Sequence, residues 1–128
     1  MSTVITTNVG VYAPGADVTA QAATPVVART FVAIVADRPA GGNIQVGPAA
    51  AAGRTCGVAR NDATAGGLTV LARGNSRVVR VTTSGAVAAF AEVQVGTGGT
   101  AITKTSGVAV GYALTSAASG TDAEISLY

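Results

Sequence analysis

Gly57-Val58-Ala59-Arg60-Asn61-Asp62-Ala63-Thr64-Ala65-Gly66 and Gly111-Tyr112-Ala113-Leu114-Thr115-Ser116-Ala117-Ala118-Ser119-Gly120 both fit the pattern G-x-A-x3-A-x2-G, 54 residues apart. Each copy follows a short apolar run and leads into another, Leu68-Thr69-Val70 in one case and Ala123-Glu124-Ile125 in the other. We read each as a strand, a connecting turn and a return strand. The first Gly permits a bend or a close backbone approach, Ala packs tightly, and the second Gly supplies a positive-φ turn. Chance matching in a chain this rich in Ala and Gly is the competing explanation.

Working outward, the second half of the chain is a series of short apolar runs broken by Gly, Asn or Ser: residues 55–59, 68–72, 78–82, 87–89, 92–95, 101–103, 108–114 and 124–127. That spacing predicts a compact β-barrel or sandwich. Alternation of apolar and polar residues is clearest at Val93-Gln94-Val95 and Ile125-Ser126-Leu127, where one face is apolar and the other polar. Earlier, residues 31–35 and 44–46 read as strands around the turn cluster Arg38-Pro39 and Gly41-Gly42-Asn43. The four alanines 49–52 suggest a helical turn, hemmed in by Pro48 and Gly53. Residues 1–28 are Thr-rich and punctuated by Pro14-Gly15 and Pro25, and read as an extended N-terminal arm ahead of a β-rich domain at 29–128. The expected class is therefore all-β.

Composition supports this. Hydrophobic residues make up 48% of the 128, but only five are aromatic, so Val, Ala, Ile and Leu must supply the core. β-Branched residues favour strands because they lose rotamer freedom in helices. Small side chains bury little area each, which leaves a thin margin at about 25 cal/mol per Å² and favours help from a partner surface. The opening residues lack a basic start and an apolar run of signal-peptide length, and the longest strongly apolar stretch, residues 31–36, is far too short to cross a bilayer. We expect no membrane partner and synthesis in the cytoplasm.

The chain has no His, which removes the commonest general base and metal ligand. A Ser-His-Asp or Cys-His arrangement cannot be built, no catalytic residue or cofactor is expected, and no carboxylates stand at metal-ligand spacing. The glycines of Gly96-Thr97-Gly98-Gly99-Thr100 read as a hairpin turn, since no Gly-Lys-Ser/Thr leads from them into a helix. Lys104 with Ser106 is a poor nucleophile pair, and Asp122 with Glu124 projects from one solvated strand face. The lone Cys56 reads as a buried, inert thiol.

Net charge is +2, and the densest charge is the trio Arg73, Arg77 and Arg80 around Gly74-Asn75-Ser76, expected at a hairpin tip. It is either a solvated loop or a contact to an acidic protein surface, where Arg pairs bidentately. Nucleic acid is not expected as a partner, because stacking aromatics and a long basic run are missing.

Several stretches resemble the small capsid decoration (cement) proteins of tailed phages: Tyr12-Ala13-Pro14-Gly15-Ala16-Asp17-Val18-Thr19, Gly57-Val58-Ala59 with Ala63 and Gly66-Gly67, Thr83-Ser84-Gly85-Ala86-Val87, Val93-Gln94-Val95-Gly96, and Val110-Gly111-Tyr112-Ala113-Leu114 through Ser119-Gly120. The resemblance covers about residues 10–128. It implies a β-rich virion protein on the outer capsid surface, a homotrimer that locks neighbouring major capsid proteins together. An N-terminal arm lying on the capsid protein would place Tyr12, Pro14 and Asp17, together with Arg73, Arg77 and Arg80, among the capsid contacts. The alternative is a carbohydrate- or host-binding β module, such as a head fibre base or adhesin.

Overall fold

The computed structural model describes residues 12–128. These form ten strands: β1 Val18–Ala22, β2 Phe31–Ala36, β3 Ile44–Pro48, β4 Gly57–Ala59, β5 Leu68–Ala72, β6 Val78–Thr82, β7 Glu92–Val95, β8 Ala101–Thr103, β9 Gly111–Ala113 and β10 Asp122–Leu127. The all-β expectation holds, and the Gly-rich stretch after β7 is a hairpin connection tightened by a 3-10 turn, Thr97–Gly99.

The first five strands close into a barrel in the order β1-β3-β2-β4-β5. Strand direction must return to itself around a closed ring, so five strands cannot all pair antiparallel. Four pairs here are antiparallel and β1 with β3 is parallel. The other five strands form an antiparallel sheet, β6-β10-β9-β7-β8, whose two edges meet at one parallel bridge, Thr83 to Ala101.

The two halves are the same structure twice. Val18 pairs with Leu71 as Val79 pairs with Ile125, Phe31 with Val58 as Glu92 with Tyr112, and Val32 with Pro48 as Val93 with Thr103. The closing pair Ala22 and Val46 recurs as Thr83 and Ala101, and the bridge Val26 to Ala63 recurs as Val87 to Ala117. Even side-chain caps recur, with Ala28 N donating to Asp62 Oδ1 and Ala89 N donating to Ser116 Oγ. The 54-residue repeat seen in the sequence is thus the tail of a duplication that spans both halves. Its glycines behave as expected: Gly66 and Gly120 have φ of +86° and +84°, and a Cβ on Gly57 or Gly111 would strike the carbonyl oxygen of Ala72 or Ser126 at 2.8 or 2.5 Å.

Successive strand residues face opposite ways, and this splits the core in two. Val32 and Ala59 point into the first barrel with Ala20, Val46 and Leu71. Their neighbours Phe31 and Val58 point outward and join the core of the second half, with Val81, Val93, Ala113 and Ile125. A ring of five strands has a narrow interior, which is why Ala and Val fill it and why so few aromatics suffice.

Several expectations are corrected. Val18–Ala22 is a barrel strand with Val18, Ala20 and Ala22 buried, so the stretch from Val18 onward is not arm; apolar residues at every second position are its signal. Residues 1–11 of the expected arm lie outside the described residues. The alanines 49–52 form no helix: Gly53 N bonds Ala50 O in a turn, and Ala52 N bonds Val95 O in the other half. The Arg-flanked turn at 74–76 is not a hairpin tip, because β5 and β6 belong to different sheets and the turn links the halves. Residues 87–89 make a single bridge rather than a strand, and the expected strands at 55–59 and 108–114 shrink to three residues each. Cys56 is partly rather than fully buried, and burial pushes its thiol pKa up.

Candidate functional site

Two surfaces stand out. The first is a cleft between the halves lined by Arg29, Arg60, Arg77, Arg80 and Glu124. Arg29 precedes β2, Arg60 directly follows β4, Arg77 directly precedes β6 and Arg80 lies in its middle, so the duplication seam brings together cations from three parts of the chain. Asp17 accepts from both Arg60 and Arg77, and Arg29 pairs with Asp122 at 3.2 Å. The Arg60 hydrogen bond, then that of Arg77, holds the Asp17 carboxyl below its usual pKa. Arg80 lies opposite Glu124 on the next strand, yet no acidic group among the described residues comes within ion-pair distance of it. It is exposed and available.

The six residues singled out in the sequence converge around this cleft and the link at its rim. Arg73 Nη2 donates to Ala13 O at 2.6 Å, its guanidinium lies 5.7 Å from the centre of the Tyr12 ring, and Arg77 Nη1 donates to Gly15 O at 3.1 Å. Arg38 Nη1 donates to the Tyr12 hydroxyl at 3.2 Å. Pro14 sits exposed in the turn between. Arg73 and Arg77 therefore already hold the segment 12–17 against the body of the protein, and of the trio Arg80 is the one left facing solvent without such a contact. Sequence reading missed Arg29 and Arg60, because nothing in their local context shows that the second half packs beside them.

The second surface is aromatic. Phe90 meets Tyr112 edge-on with ring centres 5.3 Å apart, and Tyr112 lies 6.1 Å from Tyr128. The Tyr128 hydroxyl donates to Glu92 Oε2 at 2.7 Å, and that bond to a carboxylate raises the phenol pKa. Three of the chain's five aromatics thus share one exposed patch. Phe90 has φ of +66°, a left-handed conformation that is strained for a bulky residue. Its counterpart in the first half, Arg29, has φ of +63°, and each donates its N–H to the same place, Ala59 O or Ala113 O. The duplicated backbone imposes the conformation; only the side chain differs.

Asp122, read with Glu124 as a solvated pair, is engaged by Arg29 and by the Thr82 hydroxyl at 3.0 Å. Among the described residues no three Cys, Asp or Glu side chains cluster as metal ligands.

No protein-family model matches the chain, and no curated protein matches it in sequence. Among solved structures, the crystal structure of the head fibre gp8.5 N base of bacteriophage phi29 matches at a TM-score of 0.75 and 22% identity. The match covers 88% of this chain and 93% of that one, so both halves of the duplication take part. In fold, this protein is similar to the N base of a phage head fibre.

Proposed function

We propose that this protein is a structural component of a phage virion that binds the outer surface of the head. There it stabilises the shell, as a homotrimer, by bridging adjacent major capsid proteins. The observation that carries this reading is the shared fold with a head fibre base over nearly the whole of both chains. The cleft supports it, because Arg80 and its neighbours offer an acidic protein surface the planar, bidentate donors that suit carboxylates. Residues 12–17 and the 74–76 link flank the cleft and supply further contact surface, including Tyr12, Pro14 and Asp17. A clip that binds the assembled lattice stabilises that state by mass action, and many identical weak contacts add through multivalency.

The test is co-sedimentation of the purified protein with capsids that lack it, imaged by electron cryo-microscopy. Ordered density bridging capsid subunits, with occupancy and salt sensitivity both reduced by Arg80→Ser, is the expected result. No binding to capsids would overturn the proposal. The fibre-base alternative draws on the same likeness, and density projecting outward from the bound barrels would decide for it.

A further inference from the structure

The duplication leaves one face without the cover its counterpart has. On the first half, Phe31 and Val58 are 0% and 2% exposed because the second half lies over them. Register places Glu92 and Tyr112 at those positions on the second half, with Phe90 where the first half has Arg29 and Leu114 where it has Arg60. Among the described residues no third half covers this face: Tyr128 lies beside Tyr112 and bonds Glu92, but Phe90 is left 78% exposed.

The receiving surface is duplicated too. The second half receives the first at Thr82, whose N–H bonds Arg29 O, at Asp122, which pairs with the Arg29 side chain, and at Val95, whose carbonyl accepts from Ala52. The matching positions on the first half are Gln21, Leu68 and Ile34. Leu68 and Ile34 are 56% and 59% exposed. Terminal faces of repeat stacks are polar when they are left to water, and large exposed apolar patches mark interaction sites. These two ends both expose large apolar side chains, Phe90 and Leu114 on one and Leu68 and Ile34 on the other. They are also matched: where the internal contact sets Arg29 against Asp122, the two open ends carry Phe90 and Leu68, so an ion pair has been exchanged at both members for an apolar pair.

We propose that the face bearing Phe90, Tyr112 and Leu114 docks on the face bearing Gln21, Ile34 and Leu68 of a second copy of this chain, repeating between chains the contact made within each. Such a head-to-tail contact uses two different faces, so it closes into a ring or grows as a filament. A three-membered ring supplies the trimer of the proposed function, and this inference deepens that reading by assigning the trimer's faces. It is tested without capsids, so its failure is separate from a failure of capsid binding.

The experiment is sedimentation analysis of the wild-type chain, Phe90→Arg, Leu68→Asp and the double variant carrying both. The first half itself shows that this backbone accepts Arg at a φ near that of Phe90, and Leu68 is exposed, so each variant keeps its fold, which circular dichroism verifies. The wild type is expected to sediment with the mass of about three chains, and each single variant as a monomer. The double variant recreates the internal Arg29 to Asp122 pair between copies and is expected to regain mass above the monomer. A monomeric wild type, a monomeric double variant, or a Leu68→Asp chain that keeps the wild-type mass would overturn the proposal. So would a monomeric wild type whose tyrosine emission responds to an N-acetylglucosamine hexamer, which would assign the aromatic patch to glycan instead.

Discussion

The chain contains two phenylalanines, and the structure gives them opposite environments. Phe31 is completely buried where the halves meet, while Phe90 stands in solvent on the second half. Replacing each with Ala removes the same atoms, so any difference in cost measures burial alone. For Phe31→Ala the loss combines transfer of the ring to water with the cavity left among Val58, Val81 and their neighbours, about 3–5 kcal/mol for a buried Phe. Against a typical total of about 5–15 kcal/mol, that is a large fraction of the fold's stability. It corresponds to a fall in Tm of roughly 10–20 °C for a chain of this size. Phe90→Ala should stay within about 0.5 kcal/mol, since both residues share the same left-handed backbone strain and no contact of comparable size is lost. Urea titration followed by circular dichroism measures both, at dilutions where the chain is monomeric; there is no Trp to report by fluorescence. Equal costs for the two variants, or a loss for Phe31→Ala below about 1.5 kcal/mol, would refute the claim that Phe31 joins the two halves into one core.

Two further outcomes follow from the geometry. Gly98 and Gly99 both have positive φ, +70° and +81°, but a Cβ on Gly98 meets nothing within 4 Å while one on Gly99 lies 2.5 Å from Phe31 O. Gly98→Ala should cost about 1–2 kcal/mol for the left-handed backbone, and Gly99→Ala clearly more, since a carbonyl fixed in the inter-half contact cannot yield; equal shifts in thermal denaturation would show that the approach is not close. Asp17 has a folded pKa below its ordinary 3.8, because Arg60 and Arg77 bond its charged form. Its contribution is therefore complete above pH 3.8 and fades as pH falls through the lower folded value. Amide exchange of residues 12–17 should rise over that acid range in the wild type, and Asp17→Asn should already show the faster exchange at neutral pH; a flat profile would mean the ion pairs do not hold the segment.

How much of this was legible beforehand depended on the range of each interaction. Strand character, the hairpin at 96–100 and the glycine turns at Gly66 and Gly120 are local: β-branched residues, alternation of period two and the need for positive φ act within a few residues, so the sequence by itself determined an all-β chain with a repeated strand-turn-strand unit. The absence of His likewise bounded the chemistry without any coordinates. Closure of the first barrel, the parallel pairing of β1 with β3 and the true extent of the duplication are long-range, and only the tertiary structure decided them. Identity between the halves is confined to a few positions such as Gly57 and Gly111, Ala59 and Ala113, or Val26 and Val87, because a narrow barrel demands small residues at particular places and tolerates almost anything outside. The same reason hid the surfaces. Arg29 and Phe90, or Val58 and Tyr112, occupy equivalent backbone positions, and which of them is covered depends on what the second half packs against, a fact that no local pattern encodes.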